Sequence, residues 1–395
     1  MIEGLLNFDQ DEVSPVIIKV IGVGGGGGNA VEYMLKEGIR DVDFVVCDTD
    51  KQVLDQLLTG GKVKKTIQLG ESKLKGLGTG KCTEWGEDAA RESEREIKDM
   101  LRENTKMAFI TATMGGGTGT GAAPLIAKWA KEMGILTVGV VAFPMRLDGD
   151  IRLGEARKGI ELMHQNVDSL IVIDNEKICE LHGSKTCSDA FATANDVLRI
   201  AVKGIVEIIT LPGHVNVDFA DVKTVMTNSH MAIMGAAKAS GNDRASKVIA
   251  EALNHPLLSI NDLSGAKDIL LSISSGIDDD EISVDELMEI TSYVTERVRE
   301  VSVIWGVGKD ESLGGDISVT IIATGLPFVQ VDDVPPPLPP DEPKEGVYQA
   351  RLAYVESMLN ERDILLQPNL PDEKIQELKA TPAHIRRGDI KVKEI

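Results

Sequence analysis

Two glycine segments hold the residues of this 395-residue chain best suited to chemistry. The first, Met114-Gly115-Gly116-Gly117-Thr118-Gly119-Thr120-Gly121, lies between an apolar run at 106–113 (KMAFITAT) and a segment at 122–133 that carries Ile126, Trp129, Ala130 and Met133 at helical spacing. Pro124 suits a first helical turn and Gly134 a helix stop. A strand, a glycine turn and a helix start together present unpaired backbone N–H groups and the positive end of a helix dipole, which is an anion site. Each ordered glycine costs about 0.5–1 kcal/mol relative to alanine, a cost tolerable where backbone must come close to a ligand. The second segment repeats the pattern: residues 16–23 (VIIKVIGV) run into Gly24, Gly25, Gly26, Gly27 and Gly28, then Asn29 and a helix-like stretch at 30–37. Two phosphate cradles exceed what one mononucleotide turn requires, which points to both loops closing on a single nucleotide.

Two familiar nucleotide signatures compete with this reading. Gly22-x-Gly24-x-x-Gly27 after a strand satisfies the dinucleotide fingerprint, with Asp48 and Asp50 as ribose partners, so an NAD-dependent enzyme stays open as an alternative. Such an enzyme has no need of GGGTGTG, however, and no nucleophile or proton-transfer pair of the dehydrogenase kind stands out. A Walker loop fails, because Gly80-Lys81-Cys82 lacks the following Ser or Thr and position 75 is Lys where Gly is required. Backbone donors, Thr118 and a metal ion must then neutralise the phosphates, and an oxygen-rich phosphate site favours Mg2+.

The elements that must position these loops follow from periodicity. From Val16 to about Asp174, strand-like and helix-like runs alternate, which predicts a parallel sheet covered on both faces, with ligands at the carboxyl ends of its strands. Val197, Ile200, Ala201, Gly204, Ile205 and Ile208 predict a long, buried central helix ending at Leu211-Pro212-Gly213. Residues 222–253 read as mostly helical, and ILLSISS, VSVIWGV and DISVTIIATG as strands of a second, α+β domain. After Phe328 the composition shifts to VDDVPPPLPPDEPKEG, an extended linker, followed by an amphipathic stretch at 347–366 and a locally basic end, TPAHIRRGDIKVKEI. With 63 acidic against 42 basic residues, net −21, the chain is a poor partner for nucleic acid or an anionic membrane. Cys47, Cys82, Cys179 and Cys187 show no metal spacing, the N-terminus lacks signal-peptide features, and no apolar run approaches the roughly 18 residues of a membrane span. The expectation is a reduced, cytoplasmic protein with no membrane insertion.

GGGTGTG, VIGVGGGGGNAVEYM, NVDFADVKTVM at 216–226 and DLSGAKDILLSIS at 262–274, in this order, resemble the tubulin/FtsZ GTPase family over roughly residues 16–326. The resemblance implies an α/β fold: a Rossmann-like GTP-binding domain (16–187), a central helix (188–211) and an α+β C-terminal domain (212–328). These would lie between a tail at 1–15 and a linker at 329–378 with a docking peptide at 379–395. It implies GTP/GDP as ligand with Mg2+ on its phosphates, and head-to-tail filaments for the bacterial division ring at mid-cell. Membrane-tethering and regulatory division proteins would bind the tail, where PAHIRR carries His384 in place of an aromatic. By motif, Gly25, Gly26, Gly27, Gly28 and Gly115, Gly116, Gly117, Thr118, Gly119 would hold phosphates and Asn29 would lie near the base. LDGDIRLGEA would supply the nucleotide-contacting pair Asp148 and Arg152, with Asp in place of the usual Glu. Phe191 would pack on guanine, and Asn195 and Asn175 would line its pocket. Asn216, Asp218 and Asp221 would form the catalytic loop, acting on the nucleotide of the neighbouring subunit; the same two aspartates also read as a helix cap and a first-turn acid. The loop at 76–86, GLGTGKCTEWG, approaches the terminal phosphate in the family and begins like its GLGAGANPEVG pattern, but has Cys82 and Thr83 in place of Asn-Pro and gains Lys81. That departure keeps open a GTP-binding scaffold with little turnover.

Overall fold

The computed structural model describes residues 17–328 except 40, 60–62, 64, 182–186, 211, 212, 216, 255–264 and 298–300. The expected tail at 1–15, the linker, the stretch at 347–366 and the docking peptide therefore lie outside the described residues, as do Asn216 and the side chain of Phe191.

Strands β1 (Ile17–Val23), β2 (Val42–Asp48), β3 (Lys65–Gln68), β4 (Thr105–Thr113), β5 (Leu136–Phe143) and β6 (Ser169–Asp174) form the parallel part of the sheet in the order 3-2-1-4-5-6. Their side chains split by a period of two: Val20 and Phe109 enter one core cluster while Ile21 and Ile110 enter the other. Because helices cover both faces, β5 (LTVGVVAF) is buried along its whole length and reads as an unbroken apolar run. On one face lie α1 (Gly24–Lys36) and the central helix α9 (Cys187–Thr210), which contributes Ala201, Val202 and Ile205. On the other lie α6 (Gly117–Glu132) and α7 (Asp150–Asn166), with Ile126 and Met163.

The sheet continues through a short pairing, Ser169 with His230 and Leu170 with Met231, into β8 (His230–Ala239). It is completed by β11 (Ile317–Leu326), β9 (Asp268–Ser275), β10 (Ser302–Lys309) and β7 (Gly213–Val215), making 11 strands among the described residues. The helical reading of 222–253 is thus corrected: α10 (Phe219–Met226) and α11 (Arg244–Leu253) flank a strand. Ala, Met and Lys in HMAIMGAAKA favour helix intrinsically, but β11 pairs with this segment from Ala239 back to Met231 and the core takes Ala232 and Met234, so tertiary pairing prevails. Residues 83–102 form two helices, α4 (Thr83–Glu92) and α5 (Glu94–Arg102), broken at Ser93. There the Ser93 hydroxyl accepts from Gly70 N (3.2 Å) and donates to the Gln68 carbonyl (3.4 Å), tying the break to the end of β3.

Arg244, at the start of α11, fastens the start of α12 (Val284–Arg297). Its Nε and Nη2 donate to Glu286 at 2.7 and 3.1 Å, and its Nη1 donates to the Gly315 carbonyl at 2.9 Å. Arg244 holds the Glu286 carboxyl down at about 2, against its usual 4.5. A carboxyl depressed in the folded state contributes stability that is complete above its unfolded value and lost as pH falls through its folded one. Glu286→Gln is therefore expected to unfold more easily at neutral pH, by about 1.5 kcal/mol for a charge-assisted bond. The difference from the unaltered chain should vanish between about pH 4.5 and 2, read from urea midpoints across that range.

Candidate functional site

Read along the carboxyl edge of the parallel strands, the predicted residues fall in spatial order. Asn175 follows β6, Asp148 follows β5, Gly115 follows β4, Gly24 follows β1, and Asp48 ends β2 with Asp50 just beyond it. Gly24–Gly28 are not a loop in front of a helix, as expected from sequence, but the first turn of α1 itself, whereas in the other segment Met114–Gly116 do form a turn and α6 begins at Gly117. The reason is close packing. A Cβ on Gly27 would strike the Thr111 carbonyl, and one on Gly26 would strike the Thr113 side chain, so α1 sinks its first turn into β4. Gly24, at φ +72°, turns the chain from β1 into α1 and lies so close to α6 that a Cβ there would be 2.9 Å from Gly119 N. The two helix starts meet, and their unpaired N–H groups share one region. At Gly25 and Gly116 nothing stands within 4 Å of an added Cβ, so these two backbone positions face open space.

Polar groups surround this junction. Thr118 and Thr49 share a 2.8 Å hydrogen bond between hydroxyls, an interaction across 69 residues that no local spacing could have revealed. Asp48 accepts from the N–H groups of Thr49 (2.7 Å) and Asp50 (3.3 Å), yet burial dominates and pushes its carboxyl above the usual range. Asp50 accepts from Gln52 N at 2.9 Å and so caps α2 (Lys51–Thr59). Beside it, Leu77 bridges to Asp50 and Lys51 N donates to the Gly76 carbonyl, bringing residues 76–82 to the same edge. This loop is seated on α6: a Cβ on Gly117 would meet Thr79 Oγ1 and the Cys82 carbonyl. Thr83 Oγ1 donates to Glu155 at 3.0 Å, and Lys158, then Thr83, hold the Glu155 carboxyl below its usual range.

At the other side of the junction, Arg152 donates to Asp148 at 2.5 Å, and Asp148 also accepts from Met145 N at 3.1 Å. The shorter Asp side chain is thus fixed from two directions. Arg152 Nε and Asn175 Oδ1 are buried without a hydrogen-bond partner among the described residues. Asn195 is half-buried on α9 and Asn29 exposed on α1. The two helices are joined next to them, where the Tyr33 hydroxyl donates to Asp196 at 3.4 Å; within α9, Arg199 Nε donates to the same carboxylate at 2.7 Å. Burial, then the Asp196 charge, raises the Tyr33 hydroxyl.

Asp218 and Asp221 are not part of this cluster. They form a reciprocal cap on α10: Asp221 N donates to Asp218 Oδ1 at 2.8 Å and Asp218 N to Asp221 Oδ2 at 3.2 Å. Just beyond the far end of α10, Asn228 N donates to Asp168, whose other oxygen accepts from Thr137 N at 2.9 Å, at the amino ends of β5 and β6. The glycine turns are at the opposite ends of these strands. An eight-residue strand spans about 26 Å, whereas an eight-residue helix covers about 12 Å, so even an α10 aimed directly at the glycines would fall short by more than about 10 Å. Both carboxylates are exposed.

Comparison with known proteins agrees with this geometry. Residues 17–183 match the Tubulin/FtsZ family, GTPase domain, and residues 230–327 the FtsZ family, C-terminal domain. The first match takes in Gly22, Gly24 and Gly27, assigning the dinucleotide-like fingerprint to a GTPase domain. Among relatives, the Cell division protein FtsZ of Wigglesworthia glossinidia brevipalpis is 43% identical over 323 residues, 81% of this chain and 82% of that protein. That of Coxiella burnetii is also 43% identical over 323 residues, with the same shares covered. The solved FtsZ dimer of M. jannaschii superposes with a TM-score of 0.72 at 39% identity, over 78% of this chain and 88% of that one. CetZ2 from Haloferax volcanii shares the fold at 19% identity and a TM-score of 0.65, over 80% of this chain and 96% of that one. The two glycine-started helices at one sheet edge, the central helix and the strands that extend the sheet beyond it are therefore those of a GTPase of the tubulin/FtsZ class, and the chain belongs to the FtsZ family.

Proposed function

We propose that the protein binds GTP at the junction of α1 and α6, assembles head to tail, and hydrolyses the nucleotide only where a second copy supplies Asp218 and Asp221, with Asn216, from its own α10 loop. The observation that carries this reading is the separation, within one chain, of these carboxylates from the glycine turns. Exposed apolar side chains support it. Leu77, Trp85, Leu147 and Ile151 all lie on segments flanking the nucleotide edge, and Val215 is exposed beside the α10 loop. Such surfaces favour burial against a partner. That relatives are named cell division proteins, and that one was solved as a dimer, fits a filament acting in the cytoplasm at the division site.

In this reading the N–H groups of residues 25–28 and 115–119 hold the phosphates, and Asp148 with Arg152 contacts the nucleotide next to them. Asn175, Phe191 and Asn195 enclose the base, with Asn29 nearby. Arg152 Nε and Asn175 Oδ1 then gain the partners they lack. Mg2+ carried mainly on the phosphates supplies charge neutralisation. The carboxylates of Asp218 and Asp221 position and polarise the attacking water. Domain limits at 187, 211 and 328, and docking of membrane-tethering proteins on residues 379–395, belong to the same proposal on the sequence pattern alone. Among the described residues, no helix is long and apolar enough to cross a membrane.

The test is phosphate release per protomer across a range of protein concentrations with Mg2+ present. A rate negligible at dilution and rising steeply past a threshold is expected. A rate per protomer constant down to high dilution would place the whole site in one chain and refute the shared mechanism; GTP binding without release at any concentration would make the protein a scaffold.

A further inference from the structure

Resting on the GTP reading, we propose that Lys81 is a phosphate-binding residue of this protein that contacts the terminal phosphate of GTP from within the same chain. In the GTP reading the base lies by Asn175 and Asn195; because Asn175 follows β6 and Asp148 follows β5, the phosphates then run along the strand order past the turns of β4 and β1 toward β2. The far end of that path meets residues 76–82, joined to Asp50 at the end of β2. Lys81 stands between Thr79 and Cys82, the two residues of this loop that touch Gly117 in the first turn of α6. Cys82 N donates to the Thr79 carbonyl at 3.1 Å, closing a tight turn with Lys81 inside it. Lys81 itself adopts a left-handed backbone, φ +70°, an unusual conformation for a residue with a side chain.

The charge balance gives this lysine a task. The first turns of α1 and α6 carry no charged residue, so their only attraction for phosphate is N–H groups and helix dipole. Asp48 and Asp50 add negative charge at the end where a third phosphate would bring more. Two lysines nearby are committed elsewhere, Lys73 to Asp88 at 3.1 Å and Lys158 to Glu155 at 2.8 Å, and the exposed Lys51 and Lys75 lie outside the turn that rests on Gly117. Lys81 is exposed and forms no ion pair among the described residues. An ammonium there answers the charge that distinguishes GTP from GDP, as a mobile point charge on a flexible stem.

The experiment is equilibrium binding of a non-hydrolysable GTP analogue and of GDP, at protein concentrations too low for assembly. It compares the unaltered chain with Lys81→Ala, Lys81→Arg and Lys75→Ala. Lys75 is the control, a second exposed, left-handed lysine beside the same loop but away from Gly117. Lys81→Ala keeps a side chain at the strained position, so it leaves the backbone requirement unchanged. The expected result is a loss of about tenfold or more in affinity for the triphosphate with GDP nearly unaffected, substantial rescue by Arg, and no effect of Lys75→Ala. Equal effects on GDP and triphosphate, no effect on either, or an equal effect of Lys75→Ala would each overturn the assignment while leaving the nucleotide site standing. Failure of the unaltered chain to bind either nucleotide would remove the GTP reading and this assignment with it.

Discussion

Replacing Asp218 by Asn is expected to reduce GTP turnover by about a hundredfold or more while leaving folding and GTP binding unchanged. The substitution is informative because the observed cap and the proposed catalytic role of Asp218 make different chemical demands. As the cap of α10 it needs only an oxygen to accept from Asp221 N, now at 2.8 Å, and Asn is as good a cap as Asp. As a group acting on a water beside a phosphate it needs its negative charge, which Asn lacks. If capping were its whole role, Asp218→Asn would be silent, and Asp218→Ala would cost about 1 kcal/mol of stability with turnover following stability. A shared site makes a second demand. The Asp218→Asn subunit keeps an intact nucleotide junction, since α10 is fastened at the opposite end of β5 and β6. Mixed with a subunit that cannot bind GTP but keeps Asp218, it should recover activity that neither possesses alone. Phosphate release from the mixture no greater than the sum of the two would exclude action across the interface.

The nucleotide half of the fold was legible because its signals are local. The apolar runs at β1, β4 and β5 are buried on both faces and cannot be mistaken for helices once glycine turns bound them. The glycine segments marked the site, but not that they are helix. A run of glycines has almost no helix propensity, and its helical state depends on Thr111 and Thr113, more than 80 residues away in sequence, which admit no side chain at Gly27 or Gly26. Segment β8 shows the reverse case, where local preference points to helix and pairing with β11 decides otherwise. Pairings such as Thr49 with Thr118, or Thr79 resting on Gly117, leave no trace in spacing because they join different connections of the sheet. Asp218 and Asp221 were readable both as cap and as catalytic pair, and the structure displays the cap directly. The proposed second role rests on where α10 is fixed relative to the glycine turns.

Gly25→Ala should fold as well as the unaltered chain and lose GTP, with affinity reduced by about a hundredfold or more. The two halves of that expectation have separate causes. An added Cβ at Gly25 meets nothing within 4 Å, and its backbone is already helical, so alanine there is neutral or slightly stabilising, by up to about 1 kcal/mol. The open space is where the phosphates must lie for the first-turn N–H groups of α1 to reach them. A methyl group there displaces the phosphates, and two charge-assisted hydrogen bonds lost at about 1.5–3 kcal/mol each exceed a hundredfold. Gly27→Ala separates the same causes in the opposite sense. Its Cβ would press on the Thr111 carbonyl and on Gly22, backbone that cannot rotate away, so α1 must lift from β4. Its thermal midpoint should fall, with about 1–3 kcal/mol or more lost to overpacking, and nucleotide loss would follow from the displaced helix. Thermal melting and nucleotide titration on both variants decide the matter. If Gly25→Ala bound GTP normally, α1 would be a packing element only, and the phosphates would be held by α6 without it.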